Sequence, residues 1–464
     1  MTTKTTATRG VATLTLGSIV AAGLAALAQF VLAIWLSPDE FGQWAAALSA
    51  TAFLVGVANF GEVNGFLSGR SESLARSMRI ATLLNLGLVA GVFLIAGFYW
   101  TAGRHDVALL CVVLGFTVPV QGRNGLLHAA AIDSGLYGRA VAAQLVGAAV
   151  RLAIGVAVAA ASSSAIALAV AQLGATVAMN LVLSGVQRRA TLSGPAPARD
   201  VVVRTTARER AAWAVNSLLV TIPLQIGYFV AQFVAAPAIV GLYYLANQIA
   251  LAVSGTVSGP VAKVVLSVLS KSPAGVREAI AFRFGSLLGS GMAVVVGIGG
   301  TAALYGTDRV PEEWSQVVPG AIILMASLPA RMTTPVVDSY LQSVGRWWRS
   351  SAFNFVDAIG TAICALMLLF VDFMAFAIIL SAWKASFALA RSSIALGEIP
   401  VGLRAAVAIG FEMSFILTVV GTVVGPGAGT LLIGAGVVVA SCLVVGLLRR
   451  APEDLGMSRT GSRS

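Results

Sequence analysis

The sequence predicts an all-α integral membrane protein with about fourteen transmembrane helices. Of its 464 residues, 58% are hydrophobic and only 11% are charged, and the mean hydropathy is +0.90. A soluble globular protein carries roughly 25% charged residues, because its surface faces water. Apolar runs of about 20 residues, the length that crosses a bilayer, follow one another along the chain. Short links rich in Gly, Pro, Ser and charged residues separate these runs.

Each apolar run is expected to be a helix, because a backbone in hydrocarbon must satisfy its own hydrogen bonds. The predicted spans lie near residues 11–36, 41–66, 80–101, 107–131, 139–161, 163–186, 212–236, 238–269, 279–305, 315–343, 350–371, 373–396, 402–424 and 428–448. The longest polar interruption carries six arginines. Four parts are therefore predicted: an N-terminal lobe of six spans (1–186), a cytoplasmic linker (187–211), a C-terminal lobe of six spans (212–397), and spans 13 and 14 with a cytoplasmic tail (398–464).

The basic residues divide unequally between the two sides of the predicted membrane. Loops on the side of the N-terminus hold 22 Lys and Arg, with Arg391 counted among them, whereas the opposite loops hold only Arg104 and Arg309. Because basic loops stay in the cytoplasm, both termini are predicted to be cytoplasmic. The same pattern accounts for the formal net charge of +11 without a nucleic-acid partner. Abundant Ala and Gly with few Lys indicate a bacterial source, hence the bacterial cytoplasmic membrane.

Five residues of the first half recur in the second half at matching positions in their spans and loops. The pairs are Pro38 and Pro237, Gly42 and Gly241, Pro119 and Pro329, Gly135 and Gly345, and Arg139 and Arg349. The first two pairs are 199 residues apart and the others 210. The copies are six spans apart, so both begin on the same side of the membrane. We therefore predict parallel repeats, related by an axis along the membrane normal, that form two lobes around a central cavity.

Two motifs near the N-terminus carry a family resemblance. Residues 37–42 form a small-Pro-acidic-Phe-Gly turn, residues 59–61 form a polar-aromatic-Gly step, and residues 240–244 repeat part of the first motif. With these motifs the first sixty or so residues resemble the polysaccharide-transporter (Wzx-like) flippases, in the superfamily that includes lipid II flippases and multidrug (MATE) exporters. Asn59 stands where these proteins often carry Asp. The predicted spans exceed the number usual for polysaccharide members and agree with the lipid II branch.

The resemblance implies a flippase that moves an undecaprenyl-pyrophosphate-linked oligosaccharide from the cytoplasmic to the outer leaflet by alternating access. Its expected partners are that lipid-linked glycan, membrane lipids, and H⁺ or Na⁺ as a coupling ion. We expect a monomer that is not an enzyme and needs no cofactor. The isolated Cys and His residues give no metal-binding pattern.

Charged residues inside the spans are the candidate functional residues, because a charge at a helix centre costs about 2.5–3.5 kcal/mol on insertion scales. Arg123 and Arg331 follow the repeated prolines of the two lobes. Two guanidinium groups facing one cavity suit a pyrophosphate, since each can hold two oxygens and keeps its charge. The alternative is that they cap carbonyls released by the prolines.

The other candidates are weighed in the same way. Arg151 and Lys384 lie mid-span, where they either contact the substrate or pair with an acidic residue. Lys263 either contacts the substrate or extends to the cytoplasmic surface. The candidates for ion coupling are Glu62, Asp357 and Glu412. The alternative for Glu62 is an interfacial position, whereas Asp357 and Glu412 are the acids available to pair with Arg151 and Lys384.

Two other functions compete with the flippase. A MATE-like exporter of cationic drugs would favour acids in the cavity, whereas the spans hold six bases and four acids. A membrane enzyme of polysaccharide assembly would carry a large outer loop, whereas the longest outer link, residues 306–315, is roughly ten residues. No nucleophile–base pattern stands out in the sequence, so the enzyme is the weakest of the three.

Overall fold

The computed structural model describes residues 2–58, 63, 74–192, 207–307 and 310–454, and within these ranges every regular element is a helix. The α-helices are α1 (Thr2–Leu32), α2 (Pro38–Val57), α3 (Leu74–Thr101), α4 (His105–Gly115), α5 (Thr117–Asp133), α6 (Tyr137–Ser162), α7 (Ile166–Leu192), α8 (Ala207–Val234), α9 (Pro237–Lys271), α10 (Ala274–Leu304), α11 (Val317–Ala326), α12 (Leu328–Arg331), α13 (Thr333–Ser343), α14 (Trp347–Leu366), α15 (Phe373–Ala395), α16 (Val401–Val424) and α17 (Ala428–Asp454). Short 3₁₀ turns at Glu312–Trp314 and Met367–Leu369 complete the set. Glu62, Asn59 and most of the predicted linker lie outside the described residues.

The helices confirm the predicted fold class. In the described part of the chain, ten helices are long and apolar enough to cross a membrane, with α4 and α5 counted as one, and the bent run α11–α13 makes an eleventh. Shorter apolar helices lie at Leu16–Leu32 and Ala428–Cys442, and α2 lies in the predicted second span. The count of fourteen spans stays a prediction. Large apolar side chains face outward, among them Leu94, which is 77% exposed. Such a surface suits lipid rather than water.

The chain divides into two compact units, unit 1 (Met1–Tyr244) and unit 2 (Leu245–Ser464). In unit 1, α6 packs against α1 and α7, and α2 packs against α8. In unit 2, α17 packs against α10 and α16, while α15 packs against α11 and α14. The division into lobes at residues 187–211 stays a prediction.

Glycines allow α10, α16 and α17 to approach closely. A β-carbon at Gly289 of α10 would collide with the ring of Phe411, and one at Gly297 would collide with Val437. Gly421 and Gly429 bring α16 and α17 together so closely that a β-carbon on either would meet the other's carbonyl. Small residues drive helix association in membranes, since lipid is as apolar as the side chains. Spans 13 and 14 are therefore packed into unit 2.

The two halves share a helix break at the repeated prolines. Two residues before Pro119, the hydroxyl of Thr117 donates to the carbonyl of Leu114 at 2.7 Å. At the same offset of 210, the hydroxyl of Ser327 donates to the carbonyl of Leu324 at 2.8 Å. A side-chain bond to the carbonyl three residues back competes with the helical bond, and the proline then removes one donor. The second break bends its span by 43°.

The two halves also share a helix ending. Gly135 and Gly345 have φ of 71° and 74°, a left-handed conformation that glycine adopts without strain. The next residue in each case donates its N–H to the carbonyl five residues back, at 2.8 Å for Leu136 and 2.7 Å for Arg346. This pattern closes a helix by satisfying its last carbonyls. At this pair of glycines, the sequence repeat therefore corresponds to the same backbone hydrogen bond in both halves.

The first pair of repeated motifs makes a reciprocal contact within unit 1. A β-carbon at Gly42 would collide with the carbonyl of Pro237, and one at Gly241 would collide with the carbonyl of Pro38. The amino-terminal ends of α2 and α9 therefore meet backbone to backbone. We call this contact the Pro-Gly seam. Close by, Trp44 donates its indole N–H to the hydroxyl of Tyr244 at 2.9 Å.

Candidate functional site

Unit 2 holds an ion pair between two membrane-spanning helices. Lys384 Nζ of α15 lies 2.9 Å from both carboxylate oxygens of Asp357 in α14. The side chains are only 12% and 19% exposed, respectively. Trp383 donates its indole N–H to the same carboxylate at 3.2 Å. Of the two partners weighed for Lys384, the structure selects Asp357, whereas Glu412 accepts a hydrogen bond from Ser386 at 3.3 Å.

Small and aromatic residues hold this ion pair in place. The ring of Trp383 lies against Gly360, where a β-carbon would collide with it. The ring of Trp383 also stacks on the ring of Phe387, with the two centroids 5.3 Å apart and an interplanar angle of 18°. Asp357 and Gly360 are three residues apart and so occupy one face of α14. The glycine thereby lets Trp383 reach the carboxylate beside it.

Arg331 adds a second positive charge to this region. It ends the short helix α12, after the break at Ser327, and is partly buried. It lies close enough to Lys384 for the two positive charges to repel each other. We call Arg331, Lys384 and Asp357 the unit 2 cluster, which has a formal charge of +1. Such a cluster can hold an anion whose oxygens replace or join the Asp357 carboxylate.

Arg123 occupies a different environment from Arg331. It is exposed in α5 of unit 1. By the offset of 210, the position equivalent to Arg331 is Gln121, so Arg123 stands two residues later. Two residues correspond to about 200° around an α-helix. The two arginines thus project from different faces of their helices, and their joint binding of one pyrophosphate stays a prediction.

Arg151 is part of a polar group in unit 1. Its guanidinium lies near the hydroxyl of Tyr244, the same hydroxyl that accepts from Trp44. Tyr244 and Trp44 are both fully buried. This arrangement links α2, α6 and the start of α9 beside the Pro-Gly seam. Arg151 thus has a polar neighbour inside the protein, as in the pairing alternative, although this neighbour is a tyrosine rather than an acid.

Two of the candidates cannot be placed in this way. Glu62 lies outside the described residues, and of Lys263 only the helical backbone in α9 is described. Their assigned roles remain predictions.

The prediction that Arg391 belongs to a cytoplasmic loop is wrong. It lies in α15 and is 2% exposed, where it pairs with Asp338 and donates to Asn354 at 3.0 Å and Ser350 at 3.3 Å. Its guanidinium also faces the ring of Phe353 at 5.3 Å. An arginine near a helix end reads as a loop charge, because sequence alone does not show which neighbouring helices cover it. The asymmetry of basic residues changes by only one.

Sequence reasoning also missed Glu278, which is 6% exposed in α10. One carboxylate oxygen accepts the backbone N–H groups of Glu398 at 2.7 Å and Ile399 at 3.3 Å, and the other accepts the hydroxyl of Tyr340 at 3.1 Å. These bonds satisfy a buried charge and tie the segment before α16 to α10. Its position near a predicted loop concealed this role.

Acidic residues elsewhere do not add up to a metal centre in the described part of the chain, where no three His, Cys, Asp or Glu side chains come together. The two bases and one carboxylate of the unit 2 cluster offer electrostatic binding.

The comparisons with known proteins agree on a fold and a family. The family model described as "Polysaccharide biosynthesis protein" matches residues 7–272, more than half of the chain. Among curated protein sequences, none matches. The chain is similar to the lipid II flippase MurJ in its inward closed conformation, with a TM-score of 0.67 and 11% identity over 95% of this chain and 99% of that chain.

Two further similarities are to multidrug transporters. A MATE transporter in complex with MaD3S has a TM-score of 0.58 and 13% identity, over 83% of this chain and 94% of that chain. An outward-facing MATE family transporter of the MOP superfamily has a TM-score of 0.57 and the same identity and coverage. At these identities the similarity establishes the fold, which lipid II flippases and MATE transporters share.

Proposed function

The chain belongs to the polysaccharide biosynthesis protein family, and on this premise we propose that it is a flippase for an oligosaccharide linked to undecaprenyl pyrophosphate. It moves this lipid from the cytoplasmic to the outer leaflet of the bacterial cytoplasmic membrane, with both of its own termini in the cytoplasm. We propose that the N-terminal lobe (1–186) and the C-terminal lobe (212–397) provide the alternating access.

The unit 2 cluster is the observation that carries this proposal. Two basic side chains act in the same region of unit 2 at membrane depth, so a single anionic group can contact both of them. A pyrophosphate supplies oxygens for the forked guanidinium of Arg331 and for the ammonium of Lys384. Arg123 and Lys263 are further candidates for contact with the headgroup.

Asp357 is the coupling residue of the proposal. Its carboxylate neutralises Lys384 at 2.9 Å. A proton that binds Asp357 would remove this competitor and free Lys384 for the phosphate oxygens. Proton uptake and substrate binding would then favour each other, which is the reciprocity that coupled transport requires. Glu412 and Glu62 remain weaker candidates for the same role.

The Pro-Gly seam suits the conformational part of the proposal. It joins the two repeated turns through backbone contacts rather than through interdigitated large side chains. Packed contacts of this kind are bistable, because a small separation loses most of the contact at once. We propose that the seam closes the outer side of the pathway and parts when the substrate is released.

The test is to deplete the protein from its host and to extract the undecaprenyl-linked lipids. We expect the lipid-linked oligosaccharide to accumulate. Cells that carry only Arg331→Gln should accumulate it as well, with normal protein levels in the membrane, because each lost charge-assisted contact lowers affinity roughly ten- to a hundredfold. Arg331→Lys should fall between Gln and the native protein, because it keeps the charge without the fork.

Arg346→Gln is the matched control, since Arg346 is exposed in the same unit. It should leave lipid levels unchanged. If depletion raises sensitivity to cationic dyes and leaves the lipid-linked intermediates unchanged, the protein is an exporter and the proposal is wrong.

A further inference from the structure

Unit 2 contains a narrow crevice between α10, α13, α15 and α16. It encloses about 420 Å³ of empty space, counted out to its open mouth. Most of its wall is apolar, with large side chains contributed by each of the four helices: Phe282, Val337, Leu389, Leu396 and Val407. This crevice lies inside one unit and does not include the residues of the unit 2 cluster.

The wall of the crevice also carries hydroxyl groups and one positive charge. Arg404 lines it and donates one hydrogen bond, from Nη1 to the carbonyl of Ser393 at 2.5 Å. A guanidinium has five N–H donors, and within the described residues Arg404 makes no other hydrogen bond; its Nε is buried without a partner. Ser286 and the hydroxyl pair Thr333 and Ser392, 2.7 Å apart, line the same space.

Among the described residues, the wall of the crevice contains no acidic residue to neutralise Arg404. Along α10 the nearest carboxylate is Glu278, which already accepts hydrogen bonds from Glu398, Ile399 and Tyr340. The charge on the crevice wall is therefore available to a ligand. An apolar cleft with one cationic side chain on its wall is complementary to an amphiphile that carries one anionic group.

The position of the crevice indicates where this amphiphile comes from. Arg404 lies in the first turn of α16, while Leu396 follows the end of α15 and Phe282 lies in the first third of α10. The distribution of basic residues predicts that these helix ends are cytoplasmic. At this depth the apolar part of the crevice meets acyl chains and Arg404 meets headgroups. Basic pockets between helices at the cytoplasmic side are suited to anionic lipids.

We infer that the crevice binds an anionic phospholipid of the inner leaflet, with an acyl chain along the apolar wall and the phosphate on Arg404. The lipid is a structural ligand rather than cargo, because the crevice that holds it includes none of the residues of the unit 2 cluster. By contacting α10, α13, α15 and α16 together, it strengthens the attachment of spans 13 and 14. The hydrogen bonds of Glu278 to the segment before α16 contribute to the same attachment. The inference stands apart from the identity of the transported glycan.

The experiment uses the purified full-length protein, stripped of lipid in an uncharged detergent. We expect phosphatidylglycerol to raise the midpoint of thermal unfolding and phosphatidylcholine to raise it less. Arg404→Gln should weaken the phosphatidylglycerol effect roughly ten- to a hundredfold in lipid concentration, because it removes a charge-assisted contact. Arg346→Gln, at an exposed arginine, should respond as the native protein does.

A second variant tests the acyl-chain part and keeps Arg404. Gly285 lines the crevice, and a β-carbon there would be 3.7 Å from Thr333, an ordinary contact. Gly285→Leu should therefore fill the space and reduce the response to phosphatidylglycerol. Equal protection by inorganic phosphate alone, or a full phosphatidylglycerol response in both Arg404→Gln and Gly285→Leu, would overturn the inference. These readouts contain no glycan substrate, so they are independent of the proposed transport.

Discussion

Equivalent positions in the two units make polar contacts of different kinds. In unit 1, His128 and Gln144 hydrogen-bond across α5 and α6 at 3.1 Å. At the offset of 210 the corresponding residues are Asp338 and Asn354, and in unit 2 both bind the buried Arg391. The same pair of helix positions thus carries a His–Gln hydrogen bond in unit 1 and an ionic network around Arg391 in unit 2.

The difference teaches that the two halves can share a backbone architecture without sharing its polar chemistry. Helix breaks and glycine endings are kept in both halves, because they solve a backbone hydrogen-bonding problem that any span of this shape has. The side chains that decide charge differ. Gln121 and Gly147 stand in unit 1 where Arg331 and Asp357 stand in unit 2. The residues that could bind an anion at these positions therefore belong to the second repeat.

The largest expected effect tests whether the second repeat folds without the two helices, α16 and α17, that the first repeat lacks. Truncation after Gly397 removes α16 and α17, exposes the glycine face of α10 at Gly289 and Gly297, and takes away two of the donors that satisfy Glu278. We expect little or no protein in the membrane fraction and none that is monodisperse in detergent. Truncation after Asp454, which keeps α17, should preserve both. A monodisperse six-span second half would mean that the extra helices are an accessory.

A smaller effect should follow from breaking the ion pair that only unit 2 has. Asp357→Ala leaves the charge of Lys384 without its partner, and we expect unfolding in detergent to become easier by about 3–5 kcal/mol. The double variant Asp357→Leu, Lys384→Met should recover most of this stability, since an apolar pair can replace a buried ion pair. It should nevertheless lose transport. Recovery of both stability and transport would show that the cluster is purely structural.

The smallest expected effect tests a feature in which the two repeats are alike. Gly42→Ala and Gly241→Ala should destabilise the protein by similar amounts, about 1–3 kcal/mol each, because each new β-carbon meets a backbone carbonyl that cannot swing aside. Gly87→Ala is the control, since a β-carbon there meets nothing within 4 Å. Thermal unfolding of the three purified variants measures this. A large difference between Gly42→Ala and Gly241→Ala would contradict the reciprocity of the Pro-Gly seam.

The sequence by itself determined the helical fold, the membrane environment and the positions of the breaks. These properties depend on composition and on neighbours within five residues. Apolar runs must be helical in lipid, Pro119 and Pro329 restrict their own turns, and Gly135 and Gly345 end helices through local hydrogen bonds. For this reason, five matching pairs of residues were enough to find the repeat.

Only the tertiary structure decided the partners of the charged residues. Lys384 pairs with Asp357, which is 27 residues away in sequence, rather than with Glu412, which is 28 residues away. Arg391, which the sequence assigned to a loop, is buried. Helical periodicity assigns a side chain to a face of its own helix but does not say which helix covers that face. That choice depends on where glycines such as Gly289 and Gly360 permit close approach, and it is made by several helices at once.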